Sequence, residues 1–132
     1  MNSERLKSLQ LPLKEKYQLD PSSASITLKA VGHATEALVA CAGVTLRAVA
    51  TAIGVELRDA KVVAEGDLDF RGTLGVSKEA PVGFKNIRLR FELDTRASEE
   101  QRATLIRLTE RYCVVLQTLR TPAAIAVESK QR

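Results

Sequence analysis

ATEALVACAGVTLRAVATAI, residues Ala34 to Ile53, is the most apolar stretch of the chain, and its reading decides the fold. Its length, its Ala and Leu content and the absence of Pro favour helix over strand. Thr35 is placed to serve as its N-cap, and Gly54 as the left-handed residue that ends it. Only Glu36, Thr45, Arg47 and Thr51 interrupt the apolar surface. A helix apolar nearly all round needs cover on most sides, more than one 132-residue domain usually supplies. Burial in a dimer would provide it.

On the N-terminal side, residues 3 to 18 carry Leu6, Leu9 and Leu13 at helical spacing, with Pro12 breaking the ideal pattern. Asp20-Pro21-Ser22-Ser23 has turn composition, and Ser25 to Ala30 alternates with Ile26, Leu28 and Ala30 on one side, as a strand does. On the C-terminal side, Val55 to Phe70 and Gly83 to Thr95 are predicted strands. From Ile87 to Leu93 the second is strictly alternating. Between them, residues 71 to 82 hold Gly72, Gly75 and Pro81 and are expected to form a loop. Ser98 with Gln101 is a capping-box pattern, and Leu105, Leu108, Tyr112 and Val115 continue a helix to about Leu119. Thr121-Pro122 ends that helix. Ala123 to Val127 is expected to be a closing strand, before a solvated tail from Glu128 to Arg132. The order gives an α+β domain, read as one unit over residues 1–132.

Composition weighs against several functions, a basic nucleic-acid-binding domain among them, for which the net charge of +4 is the sole support. Lys and Arg exceed Asp and Glu by four, but the charges are interleaved along the chain and not gathered in a stripe. With aromatics at 4% there is also no platform for stacking bases, so no nucleic-acid partner is expected. No apolar run reaches the roughly 18 residues a membrane span requires. The polar start, MNSERLKSLQLPLKEKY, lacks the apolar core of a secretory signal, so a cytoplasmic location is expected. One His and two Cys do not make a closed metal site, and no glycine pattern cradles phosphate, so no cofactor or metal is expected. His33 reads as a loop or cap residue. Glu65, Asp67 and Asp69 read as a solvated strand edge.

Cys41 and Cys113 admit two readings. Free cysteines are often small buried hydrophobes. In a reducing compartment they can also act as a pair, one oxidised to a sulfenic acid and the other condensing with it. That chemistry needs the two Cα atoms within about 7 Å.

Three stretches carry a resemblance to a known family. Glu36 to Ala50, EALVACAGVTLRAVA, looks like the central helix with the reactive cysteine of the OsmC/Ohr family. Val63 to Gly72 with Pro81 to Phe91 is similar to the strand-loop-strand that follows it. Leu108 to Arg120, LTERYCVVLQTLR, resembles the segment with the second cysteine. The likeness covers residues 34 to 128, with residues 1–30 standing for a shortened N-terminal part.

The resemblance implies an intertwined homodimer of OsmC-like fold, acting as a thiol-dependent peroxidase in defence against oxidative stress. Cys41 would attack an organic hydroperoxide and Cys113 would resolve the sulfenate as a disulfide. An external dithiol, lipoyl-type or a small thiol, would reduce it, and no cofactor would be needed. The alternative is a family-fold protein without turnover that binds a small ligand or a partner.

The chain departs from the family pattern in four places. Several strands precede the central helix in the family, and only one is clear here. The family's thiolate-orienting Arg comes from that region, and residues 6 to 46 contain none. Gly32 and Val31 stand where an acidic residue is usual, and Val114 replaces the usual Pro after the second cysteine. Arg111 and Arg120 are the cations available instead.

Overall fold

The computed structural model describes residues 3–30 and 36–131. Helix α1 (Ser3–Leu19) is followed by a single 3-10 turn (Pro21–Ala24) and strand β1 (Ser25–Ala30). Next come the central helix α2 (Glu36–Ala52), strand β2 (Asp59–Asp69), a one-turn helix α3 (Phe70–Thr73) and strand β3 (Asn86–Asp94). Two helices close the chain, α4 (Glu99–Tyr112) and α5 (Val114–Arg120). The strands form one sheet in the order β1-β2-β3. β1 and β2 run antiparallel, with Ser25 opposite Asp69 and Ala30 opposite Ala64. The class is α+β, mixed helix with antiparallel sheet.

The chain divides into two compact units, Met1–Thr35 with Val63–Arg90 and Glu36–Val62 with Phe91–Arg132. In the first, α1 accommodates Pro12 within its length, and Tyr17 stacks on Phe70 with ring centroids 6.4 Å apart. The Asp20 turn is held by its own carboxylate, whose Oδ1 accepts from Ser22 N at 3.1 Å and Oγ at 2.6 Å. Gly66 lies under the Phe84 ring, where an added Cβ would come within 2.5 Å of Cδ1.

The second unit contains the core: Leu46, Val49, Ala50, Val55 and Leu105, flanked by Leu57, Ala60, Phe91, Leu93, Ile106 and Leu108. One stripe of α2 is covered, from Leu38 through Ala42 and Leu46 to Val49 and Ala50. The opposite face is open in the single chain, and Val44 is 71% exposed. Gly54, at φ 71°, ends α2, and Val55 N–H donates back to Ala50 O at 2.9 Å. The Thr35 cap lies outside the described residues.

Three expectations need correction. The loop after β2 begins with α3, because Asp69 caps it by accepting from Arg71 N–H. The second helix is not continuous to Leu119 but breaks at Cys113, whose ψ of 107° is extended. The β-branched pair Val114-Val115, with poor helix propensity, follows the break. Residues 123–127 form no strand and are exposed throughout, so the alternation there has no buried face to hold it.

Candidate functional site

The second unit brings the two cysteines together. Cys41 is the sixth residue of α2 and partly exposed, and Cys113 is completely buried at the corner between α4 and α5. α4 starts on the Ser98–Gln101 capping box, with Gln101 N–H donating to Ser98 Oγ at 3.2 Å and Ser98 N–H to Gln101 Oε1 at 3.0 Å. It ends as Cys113 N–H donates to Thr109 O at 3.0 Å, and α5 starts as Gln117 N–H donates to Cys113 O at 3.0 Å.

The break supplies the donors that face Cys41. The first N–H groups of any helix have no acceptor within it. Had α4 run on unbroken, the N–H groups of Val114 and Val115 would have been spent on carbonyls of the preceding turn. In α5 they face the Cys41 sulfur, and Val115 N–H is the strongest influence on that thiol. It lowers the Cys41 pKa below the ordinary thiol value; partial burial opposes it, and the Cys113 thiol, Val114 N–H and the Thr45 hydroxyl add to it. Thr45 stands one turn along α2, with Oγ1 donating to Cys41 O at 2.8 Å.

Cys113 is shifted in the opposite direction. Burial raises its pKa first, Leu116 N–H pulls against that, and the neighbouring Cys41 thiolate raises it further. Of the two thiols Cys41 is therefore the more readily ionised, with the Cys113 thiol donating to it. The more readily ionised sulfur is the partly exposed one, and its partner is buried.

The arginines that sequence suggested as replacements are engaged elsewhere. Arg120 pairs with Glu110 at 2.8 Å, and the Arg111 guanidinium lies 5.8 Å from the centroid of the Tyr112 ring. Neither is among the groups that move the Cys41 pKa. Thr45 and the two backbone donors are what a reading of the residues missed. The spacing from Cys41 to Thr45, one helical turn, was the available signal for the first; only the break reveals the others.

The carboxylates of β2 are not a solvated edge. Asp69 is completely buried, bound through both oxygens by Arg71 (2.6 Å to Nη2) and by Lys85 Nζ at 3.1 Å. Those cations hold its carboxyl well below the usual carboxylate range, Arg71 first. Asp67 takes both terminal nitrogens of Arg88, at 2.8 and 2.9 Å. His33, Gly32 and Val31 lie outside the described residues. Among the described residues, no three of His, Cys, Asp and Glu gather as a metal site, and no helix is long and apolar enough to cross a membrane.

No curated protein matches the chain. Residues 28–128, which hold both cysteines, β2, β3 and helices α2 to α5, match the family described as OsmC-like protein. The chain therefore belongs to the OsmC-like family.

Proposed function

We propose that this protein is a cysteine-based peroxidase for organic hydroperoxides, serving oxidative stress defence as the family generally does. The reading rests on one observation: two thiols in contact, a partly exposed one biased to thiolate and a buried one biased to thiol. The Cys41 thiolate attacks the outer peroxide oxygen. The O–O bond breaks, the alkoxide leaves and takes up a proton as the alcohol, and the sulfur becomes a sulfenic acid. Cys113 then attacks that sulfur, its proton leaving with the hydroxyl as water, and the Cys41–Cys113 disulfide forms. An external dithiol, lipoyl-type or a small thiol, returns both thiols by exchange and becomes a disulfide itself. Sulfur carries all the electrons, so no cofactor is required.

The same reading makes the protein a homodimer in the cytoplasm. Exposed Val44, Val114, Ile125 and Val127, at 71, 71, 85 and 91%, are apolar surface that a second copy would cover. The test is titration of free thiols before and after one equivalent of alkyl hydroperoxide. Loss of both thiols in wild type, a trapped sulfenate in Cys113→Ser and no turnover in Cys41→Ser are expected. Unchanged thiols would exclude the reading.

A second reading, a family-fold protein that binds a ligand without turnover, draws on one fact: among the described residues, no Lys or Arg is a leading influence on Cys41. It predicts that the thiols survive the peroxide.

A further inference from the structure

The corner between α4 and α5 holds a second feature that the thiol chemistry does not use. Arg107, Glu110, Arg111, Tyr112, Gln117 and Arg120 line one open depression. Arg107 and Arg111 are four residues apart on α4, which puts both on one face of the helix. Gln117 Nε2 donates to Glu110 O at 2.6 Å, and Arg120 pairs with Glu110 Oε2 at 2.8 Å, so α5 brings its own cation to the same place. With three guanidiniums against one carboxylate, the lining carries a formal charge of 3 − 1 = +2.

A cation in the last turn of a helix is ordinarily explained by the exposed carbonyls there. That accounts for Arg111 and not for Arg107, which lies a full turn earlier. Neither Arg107 nor Arg111 has a carboxylate partner among the described residues, although Glu110 is beside them and is taken by Arg120. Two guanidinium forks without a carboxylate, next to a third held in place by one, match a doubly charged tetrahedral anion. Guanidinium is the cation suited to such groups, because its N–H pairs meet two oxygens at once.

We propose that this depression binds a phosphate group, either as free phosphate or as the phosphomonoester of a small molecule, with Arg107 and Arg111 as its principal ligands. Tyr112 and Cys113 are consecutive, so a bound phosphate would sit beside the resolving corner; binding itself does not depend on Cys41 being reactive.

The test is calorimetric titration of the reduced full chain with inorganic phosphate, glycerol phosphate and acetate at about pH 8, where phosphate is largely dianionic. Saturable binding of phosphate is expected, weakened about tenfold in R107Q/R111Q through loss of charge-assisted hydrogen bonds. Cys41→Ser should bind as wild type does, which separates this site from the peroxidase reading. Tighter binding of the ester than of free phosphate would identify a small-molecule monoester as the source, and the reverse would identify free phosphate. Absence of saturable binding, equal binding of acetate, or unchanged affinity in a folded R107Q/R111Q protein would each overturn the proposal.

Discussion

Among the described residues, the groups that chiefly lower the Cys41 pKa are neutral donors. Backbone N–H groups, a hydroxyl and a thiol stabilise the charge through hydrogen bonds, so the effect depends on geometry and is insensitive to salt. Thr45→Val keeps the shape and removes the hydroxyl. Alkylation of Cys41 near neutral pH should slow roughly threefold, as expected for one hydrogen bond worth ~0.7 kcal/mol. Rates measured against pH provide the check, and the midpoint should move up toward the ordinary thiol value of 9.0. The sign for stability follows from the same shifts. Cys41, with its folded pKa lowered, favours the folded state increasingly as pH rises toward 9.0; Cys113, with its pKa raised, opposes folding above that value.

Among the elements, the break between α4 and α5 and the loop after β2 carry the most consequence. At the break, Cys113 is already extended, as a residue before Pro must be, and Val114 is the first residue of α5, where Pro fits. Val114→Pro should change stability by less than ~1 kcal/mol in urea unfolding, while removing one of the lesser donors to Cys41. A large loss would mean that the helix is continuous. In the loop, buried Asp69 ties Arg71 and Lys85 together. Its folded pKa lies below the unfolded 3.8, so its contribution is complete above that value and is lost as pH falls through the folded one. Asp69→Asn should therefore lower the melting temperature most near neutral pH, and the gap to wild type should narrow below about pH 3.

These two elements also mark what the sequence disclosed. Alternation from Ile87 to Leu93, the Ser98–Gln101 box and Gly54 were legible because each is a local rule acting on adjacent residues. The break was not, since Leu105, Leu108, Tyr112 and Val115 keep helical spacing across it. The fate of Asp69 was not, because Lys85 is sixteen residues away and only the fold unites them.

For the whole molecule, family membership follows from the match over residues 28–128, and the contact between the two thiols lies within the second unit. The exposed residues 123–127 and the open face of α2 belong to the proposed assembly. Native mass spectrometry or light scattering should find a dimer at micromolar concentration, and Val44→Asp should weaken it by at least about tenfold through burial of an unpaired charge. A monomer at all concentrations would oppose that assembly. The central claim is that Cys41 and Cys113 exchange electrons with a peroxide as a pair. Intact-mass measurement of the reduced protein after one equivalent of an alkyl hydroperoxide tests it most directly. The account predicts loss of two hydrogens per chain, reversed by dithiol, with Cys41 and Cys113 joined in the digest; an unchanged mass, or oxygen added at Cys41 with no bond to Cys113, would contradict it.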